Sequence, residues 1–175
     1  MRPSRFAIAA AVATVAMGTF TPAALAAGQA GNDDQKFVVT VHQGNLAEIA
    51  AGTDTRTNAD MTCVKDVGAT LVKDHTKLDA DLKALARKLD VTLPDKPTAA
   101  QRRQLEEIQG KAGTPAYDTA WLKAQSDAHQ ATLKAIDGEI ANGSDARVVA
   151  AAKQARPVVA EHLDMVRDGT CHVMG

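Results

Sequence analysis

The chain has 175 residues, 20 Lys and Arg against 21 Asp and Glu, and only 3% aromatic side chains. That balance supplies neither a basic face nor stacking platforms, which excludes nucleic acid as a partner. With so few aromatics, a core has to be built from Ala, Leu, Val and Ile.

The first element is a secretory signal peptide over residues 1–26. Arg2 and Arg5 precede a short apolar run, and Ala24-Leu25-Ala26 supplies a small-residue cleavage site. Removing two arginines leaves 18 basic against 21 acidic residues, a charge of −3 for the mature chain. No cysteine stands at the cleavage site and no later segment is apolar enough to span a bilayer, so no stable membrane insertion is expected after cleavage. The predicted destination is the periplasm, the cell envelope or the exterior. Residues 27–33 are read as a disordered mature N-terminus, and 34–171 as one domain of a size that can bury its own core.

From residue 34 on, apolar residues recur at three and four, the helical period. The spacing predicts helix A at 34–53, B at 60–89, C at 115–141 and D at 145–168. Gly52-Thr53-Asp54, Pro94, Pro97 and Asn142-Gly143-Ser144-Asp145 supply the breaks, and Ser144 or Asp145 can cap D. Between B and C runs LPDKPTAAQRRQLEEIQGKAGTP, with a short polar helix from about Thr98 to Gln109. A connection this long exceeds what antiparallel neighbours need.

Cys63 and Cys171 are an even pair, read as one disulfide in an exported chain. A simple up-down-up-down order would put them at opposite ends, beyond the roughly 7 Å that bridged Cα atoms allow. A crossover that makes C parallel to B brings them together if the bond is intramolecular. The fold class is therefore all-α: a four-helix bundle, ferritin-like, with a long B–C crossover carrying a short helix.

The motifs GNLAEI (44–49), LVKDHTKLDADLKALA (71–86), LP (93–94), AYDTAWLKAQSDAHQATL (116–133) and PVVAEHL (157–163) follow one another in order. In that order they resemble the bacterial family catalogued as domain of unknown function 4142. The resemblance spans roughly residues 35–168. It implies an exported helical bundle related to ferritin-like folds, and no established activity. Asn45, Glu48, Asp74, His75, His129 and His162 match its recurring polar positions. Phe is more usual where Tyr117 stands, and His42 lies outside the pattern.

At about 100° per residue, each long helix turns polar residues inward. His75 lies in the stripe of Leu71, Leu78 and Leu82, His129 among Leu122, Leu133 and Ile136, and His162 with Ala155, Val159 and Val166. Asn45 and Glu48 share the face of Val38, Val41 and Ile49. One reading is a transition-metal site, zinc, copper or iron, with Glu48, His75, His129 and His162 as ligands and Asp79 as an acceptor behind His75. The other is a buried polar network, with Asn45 and Asp79 among its members, that fixes register in an alanine-rich core.

Depth counted along the helices puts His75 and His129 level, and Glu48 and His162 about 6 residues, or roughly 9 Å, nearer the cysteines. Two polar layers fit that count as well as one site. Ferroxidase chemistry of the ferritin type is not expected, because Val72 and Val159 stand where Glu-x-x-His pairs need acids. No catalytic set is found: Ser126, one turn before His129, lacks a glycine-rich elbow or oxyanion loop. The expected function is that of a non-enzymatic envelope or extracellular protein with no identified protein partner, with metal binding as the alternative. Convergence of the four side chains separates the two.

Overall fold

The computed structural model describes residues 30–172; the predicted signal peptide lies outside them. Among the described residues the chain is helical with no strand: α1 (Asn32–Asn58), α2 (Thr62–Lys88), α3 (Ala99–Gln109), α4 (Pro115–Asn142) and α5 (Ala146–Val166), then a 3-10 turn at Arg167–Gly169. No helix among them is long and apolar enough to cross a membrane.

The helix starts follow local chemistry. Thr98 caps α3, its hydroxyl accepting from Gln101 N while Gln101 Oε1 accepts from Thr98 N. Asp145 caps α5 by accepting from Arg147 N at 2.8 Å, and Pro115 opens α4 at a position where its missing N–H costs nothing. α5 runs on through Pro157.

Two expectations for α1 are corrected. Residues 30–33, read as part of a disordered segment, are placed: Ala30 is buried, Gly31 is the cap and Asn32 opens the helix. The cause is Asp34, which accepts from Gly31 N and, 110 residues away, from Ser144 N at 2.9 Å and Ser144 Oγ. The helix also passes through Gly52-Thr53-Asp54, where a break was expected, and ends at Asn58. Gly52 is a contact rather than a stop: a Cβ there would stand 2.5 Å from Gly68 O. Gly68, which faces it, is a close contact too, since its own Cβ would stand 2.1 Å from Thr55 Oγ1.

α1 packs along α2, and α4 along α5, with sparser contact between the pairs. At one pole Tyr117 Oη donates to Asp54, Trp121 Nε1 donates to Ala51 O, and Asp118 accepts from the N–H groups of Asp60 and Met61 at the head of α2. The start of α4 therefore sits beside the start of α2, and the two run parallel, as the long crossover required. At the same pole Cys63 and Cys171 form an intramolecular disulfide with Cα atoms 6.2 Å apart. The crossover is pinned on α1, with His42 Nε2 donating to Pro94 O at 2.8 Å and Gln43 Nε2 to Lys96 O. The apolar interior falls into three clusters: one around Trp121, Tyr117 and Leu71 at the disulfide pole, one around Leu82 and Val148, and one around Ile136 and Val159.

Candidate metal centre

His75 on α2, His129 on α4 and His162 on α5 are all buried. They meet between the two helix pairs, with ring centroids 5.0, 5.5 and 5.7 Å apart. One ring nitrogen from each lies within 4.8 Å of the other two.

On each ring one nitrogen is fixed by an acceptor. His75 Nδ1 donates to Asn45 Oδ1 at 2.9 Å, His129 Nδ1 to Gln125 O at 2.8 Å, and His162 Nε2 to Asp74 Oδ2 at 3.2 Å. An amide oxygen, a carbonyl and a carboxylate only accept, so each of these nitrogens carries the ring's hydrogen. In a neutral ring the opposite nitrogen then holds a lone pair. Those opposite atoms, His75 Nε2, His129 Nε2 and His162 Nδ1, are buried without a hydrogen-bond partner.

Electrostatics keeps the rings neutral. Burial, then the neighbouring His162 and His129, push His75 down to about 2. Burial pushes His129 down to about 4, against the opposing pull of the Gln125 carbonyl. His162 is lowered by burial and partly held up by Asp74. Three neutral imidazoles with converging lone pairs are what a borderline transition metal binds. With metal–nitrogen bonds of about 2.0 Å and a ring radius of about 1.1 Å, trigonal to tetrahedral coordination puts centroids roughly 5.1–5.5 Å apart. The observed separations bracket that range.

The expected set is brought together only in part. Glu48 is buried, lines the same cleft as His75 and His129, and has an Oε2 without a partner. Its carboxyl, pushed up to about 8 by burial, lies outside the group of mutually close ligand atoms. Asp79 stands behind His42 rather than His75, accepting from His42 Nδ1 at 2.6 Å and from Lys83 Nζ at 2.7 Å. Asn45 takes the place foreseen for Asp79.

The depth count separated His162 from the other two because it treated residues up to 168 as helix. α5 ends at Val166, and the residues leading to Cys171 rise more per residue than a helix does. His42 was passed over, although its spacing from Val38 and Asn45 puts it on the inward face of α1.

The family model described as a domain of unknown function (DUF4142) matches residues 19–168. No curated protein and no solved structure matches the chain.

Proposed function

The chain belongs to the DUF4142 family, and we propose that it is an exported, non-enzymatic protein that holds one transition-metal ion on His75, His129 and His162. The observation that carries this reading is the set of three buried lone-pair nitrogens, each ring locked by an acceptor on its far side. A self-satisfied polar network would give each of those nitrogens a protein donor, and the described residues supply none. Asn45, Gln125 and Asp74 act as the outer partners that orient ligand imidazoles. Nitrogen donors without thiolate favour zinc or copper, with iron as the third choice.

Export is supported by the pattern of residues 1–26 and by the disulfide, a bond that persists in oxidising compartments. The four long helices, the parallel α2 and α4 and the crossover through α3 support a ferritin-like four-helix bundle.

Plasma mass spectrometry of the exported protein, purified without chelator or histidine tag, tests the metal. About one equivalent is expected in the natural chain and none in a His75→Ala/His129→Ala variant of unchanged helicity. Absence of metal after incubation with zinc, copper and iron overturns the reading.

A further inference from the structure

Beside the histidines the two helix pairs stand apart around a cleft of about 960 Å³, the upper end of the roughly 300–1,000 Å³ usual for small-molecule sites. The walls of its shaft are mainly apolar, with Leu78 and Leu82 on α2 and Ala151, Ala155 and Val159 on α5, and charged side chains such as Lys77, Asp81 and Lys88 also line it. Alanines on α5 leave room that larger side chains would fill. The histidine end of the cleft is polar. Besides His75 Nε2 and His129 Nε2, it presents Asn45 Nδ2 and Glu48 Oε2, all buried and without a partner.

We propose that this cleft binds a small amphiphile: a single apolar chain ending in one carboxylate, with the head at the histidines and the chain along the shaft. A carboxylate has two oxygens to place. One fits a coordination position that three protein ligands leave open on the metal, and the other accepts from Asn45 Nδ2. Glu48 lines the same end of the cleft. The chain replaces water against Leu78, Leu82, Ala151 and Ala155. The placement of the head rests on the metal reading; the shaft does not.

The test is a fluorescence titration of the metal-loaded protein with a dansyl-labelled undecanoic acid and with its methyl ester. Two variants fill the shaft from opposite walls, Leu78→Trp and Ala155→Phe, and their metal content, measured in parallel, reports whether the site still forms. The acid is expected to bind the natural protein, with affinity falling about tenfold or more for the ester and for each filled variant at unchanged metal content. No binding of the acid to metal-loaded natural protein overturns the proposal, and so does equal binding by both filled variants. A protein without metal overturns the metal reading alone. In that case, acid binding to the metal-free protein that both variants block keeps the chamber, and its absence removes the chamber too.

Discussion

Asn45 and His42 stand one turn apart on the same face of α1 and do different work. Asn45 orients His75: its Oδ1 fixes the tautomer of the ring. Asn45→Ala is expected to weaken metal binding about 10–100-fold in competition against a chromophoric chelator, while saturating metal still reaches one equivalent. His42 holds structure, since both of its nitrogens face acceptors, Asp79 and the Pro94 carbonyl. His42→Ala leaves the buried Asp79 carboxylate with only Lys83 and removes one of the two pins that hold the crossover on α1. A loss of about 2–4 kcal/mol in urea unfolding is expected, with metal content unchanged. The sequence makes the burial of His75, His129 and His162 legible through their apolar neighbours. Outer partners are not legible in the same way: Asp79 sits one turn from His75, yet the group that claims it comes from another helix.

Among the elements, the α1–α2 crossing depends on Gly52 and Gly68. A helix interior ordinarily gains about 1 kcal/mol when Gly becomes Ala. At residue 68 the added Cβ would meet Thr55 Oγ1 at 2.1 Å and Gly52 O at 3.0 Å. Gly68→Ala is therefore expected to destabilise by about 1–3 kcal/mol in chemical denaturation, reversing the sign of the propensity. Gly52 shows why boundaries were less legible than the helices themselves: glycine reads as a stop by propensity, and only the facing helix shows that it is a contact. The clasp between the head of α1 and the α4–α5 turn has a pH signature. Hydrogen bonds from Ser144, Glu139 and Gly31 outweigh burial and hold Asp34 down at about 2. Burial and the neighbouring Asp34 and Asp145 push Glu139 up to about 7. A raised carboxyl pKa means that the folded state keeps the proton, so the contribution of Glu139 is full below its unfolded pKa and is lost as pH rises through about 7. Glu139→Gln removes that titration, and its stability relative to the natural chain is expected to rise by about 1–2 kcal/mol between roughly pH 5 and 8.

Across the whole molecule, α2 is tied twice to the C-terminal part of the chain, by the disulfide to Cys171 beyond α5 at one pole and by the hydrogen bond from His162 to Asp74 between the pairs. The first tie was legible because loop length and the reach of a disulfide constrain topology together; the cleft was not, since no periodicity reports how far two helix pairs stand apart. The Cys63–Cys171 bond closes a separation of 108 residues, so replacing both cysteines with serine is expected to cost up to about 4–5 kcal/mol through the entropy of the unfolded chain. On the proposed metal reading, a bound ion would act on the folded state instead, adding about 2.7 kcal/mol at a hundredfold excess over Kd. His75 lies 12 residues beyond Cys63 on α2, roughly 18 Å along the helix, a distance at which independent contributions add. The increment in unfolding free energy on adding zinc should therefore be the same with and without the disulfide, as read from paired denaturation curves. A smaller increment in the cysteine-free variant would mean that the disulfide sets the spacing of the two helix pairs, and through it the closure of the three histidines on the metal.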